Sequence, residues 1–250
     1  MSTDIATIPA IGHAEAGRLQ AVELQRLVEL LRSLSDDDWH RPTECEGWEV
    51  RHVALHVLGA SEMSASPFET MRQEWRARSY RRRTGGTAED ALSAVQLAAR
   101  ATLTPEQIVE RLTSAAPRAV KRRSKLVGWF RRHMNVRIDG RVPETVKLGY
   151  LVDVMALRDP WMHRLDVCRA VGRSPELTAD HDGRIVADVV ADWAARHGLA
   201  VSLLLVGPAG GVFHAGTVTG ETIARDAIDW CRAVSGRGDT AGLLATPVPF

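Results

Sequence analysis

The sequence predicts an α+β protein, with a helical part over residues 1–175 and a small C-terminal α/β domain over residues 176–250. Through the first two-thirds of the chain, apolar residues recur at three- and four-residue intervals, the period of helices that bury one face. Cap signatures mark helix starts at Thr87 with Asp90 and at Thr104-Pro105-Glu106-Gln107. Beyond residue 200 the pattern changes to two short apolar runs around Gly-Pro-Ala-Gly-Gly, which reads as a β-hairpin.

Taken in order, residues 14–33 place Leu19, Val22, Leu27 and Leu30 at helical intervals. Residues 35–47, SDDDWHRPTECEG, form a polar loop punctuated by Pro and Gly. A second helix starts near Trp48, with Val50, Val53, Ala54, Val57 and Leu58 on one stripe. The cap at Thr87 opens a helix to about Ala101, and the cap at Thr104 opens another. An apolar segment from Val146 to Leu157 leads into DPWMHRLDV, residues 159–167. A long helix runs from about Ala179 to His197 and stops at Gly198. After the hairpin of residues 201–216, a helix over 221–235 carries Ile223, Ala227, Trp230 and Val234 on one side and ends at Gly236. The tail GLLATPVPF reads as a further strand.

Lys and Arg number 32 against 31 Asp and Glu, a net charge of +1 that draws the whole chain toward neither nucleic acid nor membrane. No apolar run of about 18 residues is present to span a bilayer, and MSTDIATIPAIGH lacks a secretory pattern. Cys45, Cys168 and Cys231 are odd in number and far apart, which argues for a reducing cytoplasm and against a disulfide framework or a thiolate zinc site.

Asp159 and His163 stand four apart, so on a helix they share one face. Such a pair supplies two ligands of the three that a zinc site draws from His, Asp, Glu or Cys, the fourth position staying open. His56, beside Val53 and Val57 on the second helix, faces the same interior and is the best third ligand. His52, one turn earlier, competes for that place or lies outside it. Residues alone favour blander readings. Asp followed by Pro is a preferred N-cap and N1 pair, and a lone His beside an apolar stripe is usually a hydrogen-bonded core residue.

The wider pattern shifts that balance. Cys45-Glu46-Gly47-Trp48-Glu49-Val50-Arg51 followed by His56 resembles the CxGWxVRxxxxH signature of the mycothiol-dependent maleylpyruvate isomerase family, within the DinB-like superfamily. LRDPWMHRLDVCRAVG, residues 157–172, is similar to that family's second signature, and DAIDWCRAVSGRGDTAGLLATPVPF, residues 226–250, to its C-terminal stretch. The three occur in the family's order. The resemblance implies an N-terminal DinB-like four-helix bundle followed by the small α/β domain. It implies a divalent metal, zinc by expectation, on His56, Asp159 and His163. It also implies mycothiol, the low-molecular-weight thiol of actinobacteria, acting on a small acidic or electrophilic substrate. Thiolate addition to a conjugated double bond followed by expulsion gives an isomerase, and retention of the adduct gives an S-transferase. One departure stands out: family members commonly carry Glu where this chain has Asp159, one methylene shorter and followed by Pro160.

An acidic substrate needs a cation. Arg237, in the family-like Ser235-Gly236-Arg237, is expected to meet a substrate carboxylate or the thiol cofactor across the domain interface; the plain alternative is a surface arginine at a helix C-terminus. Asp166 orients a ligand or pairs with a nearby basic residue, the second being slightly preferred. The basic segments 76–83 and 111–138, the latter with Trp129 and Phe130 and no acid, read first as a solvated or mouth-lining face. The rival function is a non-catalytic DinB-like binding module with a degenerate metal site, its basic segments contacting nucleic acid or an anionic surface. Neither nucleic acid nor membrane is expected as a partner.

Overall fold

The computed structural model describes residues 2–139, 143–217, 221–238 and 240–250. In chain order its elements are β1 (Thr3–Asp4), α1 (His13–Arg32), α2 (Val50–Ala65), α3 (Pro67–Thr84), α4 (Ala88–Ala98), α5 (Pro105–Ser124), α6 (Gly128–His133), β2 (Asn135–Ile138) and β3 (Glu144–Lys147). A π-wound turn (Tyr150–Met155) runs straight into α7 (Ala156–Ala170). A second π-wound turn (Ala179–Gly183) leads into α8 (Arg184–His197), followed by β4 (Val201–Val206), β5 (Gly211–Ala215), β6 (Glu221–Asp226) and α9 (Ala227–Ser235). Two compact units result, one of Gly12–Pro175, the other of Met1–Ile11 with Glu176–Phe250.

The helical unit is a four-helix bundle in which α1 packs on α5 and α7, and α2 on α5 and α7. Its core draws Leu24, Leu27, Val28 and Leu31 from α1, the stripe Val50, Val53, Ala54, Val57 and Leu58 from α2, Ile108, Val109 and Leu112 from α5, and Val167 from α7. The stripe of α1 is rotated from the expected one: Val22 is exposed, because the buried face steps through 24, 27, 28 and 31. Both expected capping boxes form, with Thr87 accepting from the Asp90 N–H and Thr104 from the Gln107 N–H. The pair α3 and α4 packs against α2, so closely that a Cβ on Gly59 would come within 2.6 Å of Gln96.

The small unit is a four-stranded sheet in the order β1-β5-β4-β6. The expected hairpin is present, β4 pairing antiparallel with β5. Residues 221–226 are strand and not the start of a helix: β6 runs parallel to β4, with Ile223 opposite Leu203, and α9 begins only at Ala227 behind the N-cap Asp226. Residues 242–245 form a single 3-10 turn in place of the expected strand. The N-terminal residues, expected with the helices, join this unit because β1 pairs parallel with β5. Trp193 of α8 and Trp230 of α9 meet edge to face at 5.3 Å. No helix among the described residues is long and apolar enough to cross a membrane.

Candidate metal centre

The site is assembled inside the helical unit from two structural supports. The first is the turn before α2. Thr43 N–H donates to the Trp48 carbonyl at 2.8 Å, Trp48 N–H to Cys45 at 2.9 Å, and Val50 N–H to Arg41 at 3.0 Å. The reversal needs Gly47 at φ +73°, a left-handed conformation costly to any residue with a Cβ. It sets the Cys45 thiol and the Trp48 ring at the head of α2, one turn and more above His56. The second support is α7, buried nearly all round. Arg164 fixes its rotation by a two-pronged pair to Glu23 of α1, at 2.6 and 3.2 Å, with both side chains buried.

Asp159 lies inside α7 and does not cap it. The helix is continuous with the π-wound turn upstream, and the turn's last residue, Met155, occupies the N-cap position. Pro160 removes the N–H that would bond the Ala156 carbonyl, directly after a turn whose bonds are already shifted in register. Among the described residues the Asp159 carboxylate meets His56 and His163 and no backbone donor. His52 is not among the side chains that converge with His56; its Nδ1 accepts the Glu49 N–H at 3.1 Å and closes the cap of α2.

His56, Asp159 and His163 come together. The Nε2 atoms of both imidazoles stand 3.4 Å from the same oxygen, Oδ1 of Asp159. One ligand atom from each residue lies within 4.8 Å of the other two. Ligands about 2.0–2.1 Å from a tetrahedral ion sit about 3.3 Å from one another, a separation that the two distances to Asp159 match and that is long for a hydrogen bond. The rings cross nearly edge to face, 5.3 Å between centroids, and Trp48 walls them at 5.4 Å from His56 and 6.2 Å from His163. Each outer nitrogen also has a polar neighbour, closer for His163 than for His56. Ser93 Oγ lies 3.4 Å from His56 Nδ1, and Asp166 Oδ2 lies 3.2 Å from His163 Nδ1. Asp166 therefore touches His163, one of the two readings left open by the sequence, and in the neutral ring its carboxylate accepts from Nδ1–H and leaves Nε2 unprotonated toward Asp159. The Cys45 thiol donates to the same Asp166 oxygen at 3.5 Å and lies 3.9 Å from His163 Nδ1.

Burial disfavours the Asp159 charge, yet His163 and His56 beside it hold its carboxyl well below the usual carboxylate range. Burial also works against a charged His163; the Asp159 carboxylate, with hydrogen bonds to Asp159, Asp166 and Cys45, overrides it and raises the pKa well above that of a free imidazole.

Arg237 belongs to the small unit. It follows Gly236, the left-handed cap of α9, and donates from Nη1 to Ser235 Oγ at 3.2 Å. In the basic segments, Arg78 pairs with Glu74, Arg81 with Asp139, Arg111 with Glu62 and Arg131 with Asp153, so part of their charge is used within the fold. Ser93 on α4 carried no signal in sequence. Cys45 and Trp48 stand inside the recognisable motif, which gave them no role.

The profile of the family described as the mycothiol maleylpyruvate isomerase N-terminal domain matches residues 21–168, a span that contains every side chain of this cluster. The chain belongs to that family. Its fold is similar to a crystal structure of the mycothiol-dependent maleylpyruvate isomerase at 16% identity and TM-score 0.53, covering 94% of this chain and 92% of that one. A His→Ala mutant of that enzyme matches at 15% identity and TM-score 0.55, over the same shares. At such identities the likeness shows the fold. Among curated proteins none matches.

Proposed function

We propose that this member of the family is an enzyme that holds a divalent ion, zinc by preference, on His56, Asp159 and His163 and uses mycothiol on a small acidic or electrophilic substrate. The observation that carries the reading is the convergence of two imidazole Nε2 atoms on one carboxylate oxygen, with a polar side chain beside the outer nitrogen of each ring. A divalent ion bound there would stabilise thiolate over thiol and so supply a nucleophile at neutral pH.

The chain's own residues supply the rest. Asp166 holds the proton on His163 Nδ1, keeping Nε2 available and the ring oriented. Trp48 covers one side of both rings and excludes water from it. The shorter Asp159, in place of the family's common Glu, reaches both imidazoles because it leaves the helix from an unbroken turn instead of capping it. For Arg237 the reading is kinetic: Arg237→Ala raises KM for an acidic substrate or lowers kcat while metal content is unchanged.

The test is metal analysis of the purified chain, wild type against His56→Ala and His163→Ala, followed by assays with mycothiol and a conjugated cis-enoic acid. One ion per chain in the wild type, lost in both variants together with thiol-dependent turnover, is the expected result. Geometric isomerisation with no net thiol uptake marks an isomerase, and stoichiometric thiol uptake a transferase. One ion per chain surviving both substitutions overturns the site.

A further inference from the structure

Arg123 lies in the basic run at the end of α5, where sequence alone makes it one surface charge among many. In the fold it is partly buried, and its head is held from behind. Its Nε donates to Gln20 Oε1 at 2.9 Å. Gln20 is itself buried and immobilised, its amide nitrogen donating to the carbonyls of Val152 at 2.8 Å and Asp153 at 3.3 Å in the π-wound turn that feeds α7. That turn is the same one that brings Asp159 into the candidate centre, so a single piece of backbone positions both the carboxylate and the arginine.

The charge of Arg123 is felt by two carboxylates and paired with neither. Burial lowers its pKa to about 10, opposed by Asp159 and Asp153. Asp153 gives its two oxygens to His13 and Arg131, and Asp159 turns its Oδ1 to the imidazoles. Among the described residues the two terminal nitrogens of Arg123 make no hydrogen bond or ion pair. A guanidinium anchored through Nε presents these two nitrogens as a preorganised fork, the shape that binds a carboxylate through both oxygens. Leaving such a fork unmatched in a partly desolvated place is costly, and an anionic ligand relieves that cost. Arg118, on the same helix, makes the contrast: it is exposed, and its Nε is bound to the Ser114 carbonyl of its own helix.

We infer that Arg123 is the carboxylate anchor of this site, its terminal fork receiving an acidic ligand beside His56, Asp159 and His163. The inference rests on reading that cluster as a ligand-binding centre. It also gives the substrate a polarity, with the carboxylate toward α5 and the reacting end toward the imidazoles.

The experiment is calorimetric binding of succinate, and of uncharged dimethyl succinate, to the full chain before and after zinc is added. Wild type is compared with Arg123→Gln and Arg123→Lys, and zinc stoichiometry and Tm are measured in parallel. Wild type should bind succinate and not the diester. Arg123→Gln should weaken succinate at least tenfold, and Arg123→Lys, which keeps the charge and loses the fork, should fall between, with zinc uptake unchanged in both. If Arg123→Gln lowers Tm through the loss of the Gln20 bond, the succinate affinity of Arg123→Lys decides. Succinate binding within threefold of wild type in the folded variants overturns the anchor, as does a zinc-loaded wild type that does not bind succinate. Arg123-dependent succinate binding in a chain that takes up no zinc keeps the anchor and overturns the metal reading instead.

Discussion

Two histidine–carboxylate clusters lie within six residues of each other, on the π-wound turn and the helix it feeds, and they are built in opposite ways. Asp153 is closed: one oxygen takes His13 at 2.6 Å and the other takes Arg131 at 2.7 Å, while the far nitrogen of His13 is 3.2 Å from the Ser124 carbonyl. Donors and acceptors match, distances are short, and the group ties α1, α6 and the turn together. Asp159 is open. Two imidazoles face one of its oxygens at 3.4 Å, neither close enough for a strong bond, and an arginine nearby keeps its fork unpaired. The same residue types make a clamp in one place and an arrangement suited to a ligand in the other. What separates them is whether the polar atoms are satisfied by the chain itself.

The largest effect is expected from breaking the clamp. Asp153→Asn leaves Arg131 without its counter-charge and His13 without a charged acceptor, in a place where Asp153 is buried. Removing one partner of a buried ion pair costs about 3–5 kcal/mol, and the partial exposure of Arg131 and His13 brings this toward about 3. Thermal unfolding should show a Tm lowered by roughly 6–12 °C for a unit of this size, while zinc stoichiometry stays at the wild-type value. A variant that keeps its Tm and loses zinc would erase the distinction between the two clusters.

A second clamp extends the comparison through pH. Glu69 accepts from Arg72 at 2.6 and 2.7 Å, from Gln73 at 2.8 Å and from Arg100 at 3.1 Å, in a knot that joins α3 to the turn after α4. Burial alone would raise its pKa, but these partners lower it to about 2. A carboxylate depressed in the folded state stabilises the fold above its unfolded value near 4.5, and that contribution is lost as pH falls from there toward 2. With its partial exposure allowed for, the amount is about 2 kcal/mol. Urea unfolding of wild type and Glu69→Gln should differ by this much at pH 7, and the gap should narrow below about pH 4.5 and close only near pH 2. A gap that does not narrow would assign the effect to packing instead of charge.

The sequence showed most of the scaffold and part of the site, and the misses have physical causes. Helices with caps and long stripes, α2 and α5 above all, announce themselves because their signals are local. Residues 221–226 do not, since a six-residue run with one Ile fits either period, and its partner β4 is brought alongside only by the fold. His56, Asp159 and His163 were legible as a spacing, but cap or ligand could not be decided from Asp-Pro, because the answer lies upstream. A π-wound turn with no sequence signature carries the helix through Met155, so the capping position never falls on Asp159. Arg123 was hidden by its company: nothing in a run of basic residues says which one folds inward against Gln20.

The smallest expected effect is the sharpest test of the open cluster, because it leaves all three proposed ligands in place. Asp166 is buried, and its Oδ2 lies 3.2 Å from His163 Nδ1 and 3.5 Å from the Cys45 sulfur. Asp166→Asn keeps an oxygen able to accept from Nδ1–H, but removes the charge that makes the opposite nitrogen a better donor to a cation. Partners of this kind are worth about 10–100-fold in metal affinity. Competition against a zinc-binding dye should show a loss in that range in the folded protein, with one ion still bound at saturation, whatever Tm the variant loses with its buried pair. Were Asp166 only a structural partner of α7, Tm would fall while zinc affinity matched wild type in the fraction that remained folded.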